Sequence, residues 1–96
     1  MAIYLVTWDL NQEKPNYSKA RAAFLERLDK FENRADSGLD SVRFVSTTWD
    51  ASKIRDYLRK AQDDNDTLFV TRIHKGSAER NGWVNKTTWE WIRARE

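Results

Sequence analysis

Asp9 stands in the stretch IYLVTWDLN, residues 3–11, where an apolar run broken only by Thr7 leads directly into its carboxylate. Two readings fit this placement. Asp9 ends a strand, or it is held at the rim of a sheet where a carboxylate can bind a hard divalent cation. Five further aspartates could join it there: Asp36, Asp40, Asp63, Asp64 and Asp66. A cluster of oxygen ligands suits Mg²⁺, Mn²⁺ or Ca²⁺. Such an ion can generate a hydroxide or steady a phosphate during hydrolysis. Aspartate is also a favoured turn and cap residue, because its side chain bonds nearby backbone N–H groups. The turn reading is preferred for every member of the group except Asp9. His74 is the single histidine, and it reads as a surface residue beside Lys75. The KGSAER stretch lacks the spacing of a phosphate-binding loop.

The cations divide into two kinds. Lys19, Arg27, Lys30 and Arg34 lie on or after a first helix, and Arg55, Arg59 and Lys60 on a second. Their solvent sides could form one basic surface for phosphate contacts, although interleaved acids also fit an ordinary charged helix exterior. Arg43 and Arg72 fall within strands instead and could face a groove across the sheet. The candidate nucleic-acid contacts are Arg43, Arg55 and Arg59. Five Trp could stack bases, with packing as the simpler reading for most of them.

These residues need a scaffold, and 96 residues make one domain with a modest core. There is no Cys, which excludes a disulfide framework, a thiolate metal site and a cysteine nucleophile. No signal-peptide pattern and no apolar run of membrane-spanning length is present, so the expectation is a soluble, cytoplasmic chain with no membrane partner. Seventeen Lys and Arg against 15 Asp and Glu give a net charge of +2, far from that of a dedicated nucleic-acid binder.

Residues 2–9 read as a strand buried on both faces, and therefore central. The segment NYSKARAAFLERLDKF reads as a helix capped by Asn16, with Tyr17, Ala20, Phe24, Leu28 and Phe31 on one stripe. Glu26 and Lys30 stand in the favourable order for a helical ion pair. Residues 31–35 and the β-branched SVRFVSTTW form a hairpin through 36–40, with Val42 and Phe44 on one face and Val45 and Thr47 on the other. Asp50 caps a second helix carrying Ile54, Tyr57, Leu58 and Ala61, and DDND ends it. TLFVTRIH is a fourth strand, KGSAERNG a loop, and Asn85 caps a last helix in which Trp89 and Ile92 share a face.

The order β-α-β-β-α-β plus a C-terminal helix is that of the α+β ferredoxin-like arrangement. It predicts an antiparallel sheet ordered 4-1-3-2 with two helices on one face. The other face would then carry an apolar patch that needs a cover. The last helix, a second subunit, or both could supply it, and a homodimer is the common solution for small chains.

The stretches YLVTWDLN, GLDSVRFVSTTWDASKIRDYL, DDNDTLFV and GWVNKTTWEWI together resemble a group of small bacterial proteins. That group is related to the CRISPR-associated endoribonuclease family (the second Cas protein) and to the virulence-associated protein D toxins. The resemblance covers most of the chain and is weakest at residues 75–82. It implies a ferredoxin-like homodimer. It also implies, through the match to TWDLN, that Asp9 lies near the dimer axis and takes part in phosphodiester cleavage with Mg²⁺ or Mn²⁺. The tail WVNKTTWEWIRARE is closer to stand-alone relatives. The functions implied are a metal-dependent endoribonuclease, a non-catalytic dimeric scaffold, or a toxin-like ribonuclease, with RNA or DNA as the expected partner.

Overall fold

Seven elements follow one another in the computed structural model, which describes residues 1–12, 15–76 and 80–96. They are β1 (Ala2–Asp9), α1 (Tyr17–Leu28), β2 (Glu32–Arg34), β3 (Val42–Thr47), α2 (Ala51–Arg59), β4 (Thr67–Ile73) and α3 (Lys86–Arg95). Parts of the connection read at 11–15 and of the loop read at 75–82 lie outside the described residues. The four strands form one open antiparallel sheet in the order β2-β3-β1-β4. The apolar character of β1 on both faces thus matches an interior position between β3 and β4.

Strand alternation splits the core in two. Tyr4, Val6 and Trp8 of β1 and Val45 of β3 face α1 and α2, where they meet Phe24, Leu28, Ile54 and Leu58, all four fully buried. Phe24 lies against Trp8 with ring centroids 4.9 Å apart. Each of these large side chains contributes roughly 2 kcal/mol through burial. The alternate residues Ile3 and Phe44 turn to the other face and are closed off by Ile92 of α3, with Leu5, Val42, Trp89 and Trp91 packed around them. The last helix is therefore a cover for the second face, as its Trp89–Ile92 stripe suggested. The cover is partial, for Phe69 on β4 stays 64% exposed.

Helix ends depart from the sequence reading in instructive ways. The first helix stops at Leu28 rather than running to Phe31. Its last carbonyls are taken by a tightened turn, Lys30 N–H to Arg27 O and Phe31 N–H to Leu28 O. Asn33 also reaches back from β2, donating to Phe31 O at 2.9 Å and to Leu28 O at 3.3 Å. Asn16 precedes α1 but its side chain caps nothing. Asp50 does cap α2: its carboxylate accepts from Lys53 N–H at 2.8 Å and from the Ser52 hydroxyl at 3.0 Å. Those two bonds, Lys53 first, hold its pKa below the usual aspartate value.

At α3 the expected cap, Asn85, also makes no side-chain cap bond. The helix start is instead held from the β2–β3 connection. Asp36, only 5% exposed, accepts from Asn85 N–H at 2.9 Å and from the Thr88 hydroxyl at 2.7 Å. Its other oxygen accepts from Gly38 N–H at 2.8 Å. Further along the same helix, Arg34 donates to Thr87 and Arg95 pairs with Glu32. The short strand β2 is thus the anchor that lays α3 across the sheet.

One backbone position is unusual. Ser41, just before β3, has φ 54°, in the left-handed region that costs a non-glycine residue about 1 kcal/mol or more. Its carbonyl accepts from Trp8 N–H at 3.2 Å and from the Thr7 hydroxyl at 3.0 Å, so the turn is fixed against β1. Ser41→Gly relieves the strain at some cost in unfolded-chain entropy. It is expected to raise stability by about 0.5 kcal/mol, measured by urea denaturation.

Candidate functional site

Asp9 sits at the end of the central strand, on the face that carries Ile3, Leu5 and Thr7, and it is exposed. In register it lies beside Thr67, the first residue of β4. Thr7, Asp9, Thr67 and Phe69 line a shallow cleft of about 220 Å³. The Trp8–Ser41 hydrogen bond continues the β1–β3 contact one residue beyond the strand, where Ser41, at φ 54°, turns out of the extended path. Among the described residues no hydrogen bond or ion pair engages Asp9. The carboxylate is presented to solvent by a rigid strand whose neighbours on both sides are fixed.

The other acids of the supposed rim are used differently. Asp36 is the clamp on α3 described above. The pKa of Asp36 is lowered, chiefly by the Thr88 hydroxyl and then by the Gly38 and Asn85 N–H groups, so it stays ionised as an acceptor. Buried Asp66 accepts from Asn11 N–H at 2.8 Å and from Asp63 N–H at 3.0 Å, which ties the start of β4 to the end of β1. Asp63 accepts from Asn65 N–H at 2.9 Å within its own turn. The bonds to Gly38, Asp63 and Asn65 N–H are the turn roles expected of aspartate, whereas those to Asn85, Thr88 and Asn11 join distant segments. Among the described residues no group of three or more His, Cys, Asp or Glu is placed to hold a metal ion. A six-carboxylate rim does not form: Asp36, Asp63 and Asp66 are taken up by the fold, and Asp9, Asp40 and Asp64 are exposed.

The cations singled out in the sequence do not gather around Asp9. Arg43 pairs with Val6 across the sheet and so faces α1, on the opposite side from Asp9. There it donates to the Asn33 side chain at 2.9 Å and lies 3.8 Å from the Asp29 carboxylate. Arg59 is committed to structure, donating to Gln62 at 2.8 Å and to the Asp63 and Asp66 carbonyls at 3.2 Å. Arg55 is exposed on α2 and pairs only with its neighbour Asp56, at 2.9 Å. A surface pair of this kind is worth little and leaves Arg55 available to a phosphate. Arg72 is exposed on β4. His74, just after β4, lies at the far end of the sheet from Asp9, because Ile73 pairs with Ile3.

A second arrangement was not legible in the sequence. Phe31, Trp49 and Tyr57 meet edge to face, with centroids 5.0 to 5.8 Å apart. Three cations crowd their outer side. Lys53 lies 4.5 Å from the Trp49 ring centre, Arg27 4.7 Å from that of Tyr57, and Lys30 5.6 Å from both. Lys30 has therefore turned to the rings rather than to Glu26, with which it forms no ion pair among the described residues. Aromatic rings interleaved with lysines match what single-stranded nucleic acid asks of a surface. The other tryptophans divide as follows: Trp8 is core, Trp89 and Trp91 pack from α3 against the Ile3–Phe44–Ile92 cluster, and Trp83 is fully exposed.

Compared with known proteins, the chain matches no family model, and no curated protein matches it at a significant level. Among the described residues, no helix is long and apolar enough to cross a membrane.

Proposed function

We propose that this chain is a ferredoxin-like, nucleic-acid-associated homodimer that cleaves phosphodiesters with a divalent cation held by Asp9. Support for the fold assignment comes from the element succession and from the sheet order, which from its β4 edge reads β4-β1-β3-β2. One observation carries the functional reading: Asp9 is an exposed, unengaged carboxylate at the end of the central strand, while Asp36 and Asp66 are consumed by the fold. One carboxylate per chain fits Mg²⁺ or Mn²⁺, since such ions retain several waters and take one or two carboxylates plus phosphate oxygens. The ion would supply charge neutralisation and an activated water. Asp9 would position it, and exposed Arg55, held only by a surface pair with Asp56, would hold the backbone.

A non-catalytic dimeric scaffold is the second reading. It is favoured by the Lys30–Lys53–Trp49 surface, which lies on the helix side of the sheet, away from Asp9. A toxin-like ribonuclease would share the Asp9 chemistry and differ in its cellular target.

The deciding experiment is metal-dependent cleavage of labelled RNA and DNA by wild type and Asp9→Ala. Cleavage is expected to require Mg²⁺ or Mn²⁺ and to fall by at least a hundredfold in the variant. The melting temperature should be unchanged, because an exposed carboxylate without partners leaves the core untouched. Binding without cleavage in either protein would support the scaffold.

A further inference from the structure

A cavity lies between the sheet and α3, on the same sheet face as Asp9. It measures about 350 Å³ and is lined by Leu5, Phe44 and Ile73 from the strands, by Trp89 and Ile92 from α3, and by Trp83 from the segment before α3. That volume is at the lower end of pockets that accept small organic molecules. Its lining is mostly apolar and aromatic, with Arg80 as its charged member and Asn81 beside it.

Arg80 is 15% exposed, and its Nη2 donates to the Glu96 carboxylate at 2.6 Å. Its Nη1 is buried and has no partner among the described residues. A guanidinium offers five N–H donors in a rigid fork suited to two oxygens at once, and a buried donor without an acceptor is costly. The cavity thus presents an apolar chamber with one under-used, charged donor group in its wall.

We propose that this cavity binds a small carboxylate with an apolar or aromatic body, the body lying among Leu5, Phe44 and Trp89 and the carboxylate pairing with Arg80. The proposal does not depend on Asp9 or on nucleic acid. It has a specific consequence, because Glu96 is an internal competitor: the ligand's carboxylate and the Glu96 carboxylate contend for one guanidinium.

The test uses 4-phenylbutyrate and its uncharged analogue 4-phenylbutanol, titrated calorimetrically and by the fluorescence of Trp83 and Trp89. Wild type should bind the acid with 1:1 stoichiometry and at least about tenfold more tightly than the alcohol, as a charge-assisted hydrogen bond implies. Glu96→Gln should tighten the acid severalfold and leave the alcohol unchanged. Arg80→Gln should weaken the acid by about tenfold, with circular dichroism confirming the fold. Because Glu96→Gln preserves shape, it keeps the test decisive even if Arg80→Gln unfolds. No saturable binding to wild type, equal affinity for acid and alcohol, or a Glu96→Gln protein with unchanged acid affinity would each overturn the proposal. So would protein self-association that displaces the probe, which would assign the cavity to a second copy of the chain.

Discussion

Asp36→Ala is expected to lower the melting temperature by on the order of 10 °C, although it removes only one carboxylate from a turn. The residue is buried and accepts from Gly38, Asn85 and Thr88. Truncation strands those donors at the point where α3 is attached, and α3 is what covers Ile3 and Phe44. Asp36→Asn should fall in between. One amide oxygen can still serve Gly38, and the amide NH₂ can donate to the Thr88 hydroxyl, but the Asn85 N–H loses its acceptor. The pH dependence follows from the lowered native pKa. The carboxylate's contribution is complete above the usual aspartate range. It is lost as the pH falls through that range to the lower native value, because the unfolded chain takes up the proton first. Thermal melts of wild type at stepped acid pH should show this loss, and Asp36→Ala should show less of it.

Phe24→Ala is expected to cost about 4 kcal/mol, with a fall in melting temperature of about 20 °C. Phe24 is fully buried, sits against Trp8, and joins α1 to the central strand. A domain of this size has roughly 5 to 15 kcal/mol in total, so the variant should be populated near its unfolding transition at physiological temperature. Differential scanning calorimetry and urea midpoints measure the effect. Phe24→Leu, which leaves a smaller cavity, should lose less than half as much. Asp36→Ala and Phe24→Ala act on opposite layers, Phe24 beneath α1 and α2 and Asp36 at the attachment of α3. Their effects should be close to additive in the double variant if the layers are independent.

The elements were legible because their causes are local. Apolar alternation in Val42–Thr47 assigns faces residue by residue, and the structure places Phe44 with Ile92 and Val45 with Leu58 accordingly. Asp50 capped α2 as read, since its acceptor and donor stand three residues apart. Asp36 could not be read in the same way. Its partners are 49 and 52 residues distant, and nothing local distinguishes a turn aspartate from a clamp on a remote helix. Asn85 misled for the complementary reason: it has the right residue type at the right position, yet a distant carboxylate had already satisfied the helix start. The face of Arg43 follows from the same alternation, but its partners Asn33 and Asp29 lie on β2 and just after α1, and no pattern within β3 reveals them. The convergence of Lys30 and Lys53 on Trp49 depends on how α1 and α2 are placed over the sheet, and no spacing within either helix encodes it.

The central position of β1 has a consequence for how the chain comes into being. β1 is flanked by β3 and β4, and its pairing with β4 extends to Ile73. During synthesis the segment Ile3–Trp8 therefore emerges long before either neighbour exists. Until β4 is complete, one of its edges offers unpaired backbone groups beside an apolar surface, the situation in which strands find the wrong partner. The central strand of the finished protein is thus its longest-waiting one. The crowding of Phe24 and Leu28 onto α1, the next element made, gives that strand a nearby helix to shelter against in the interval.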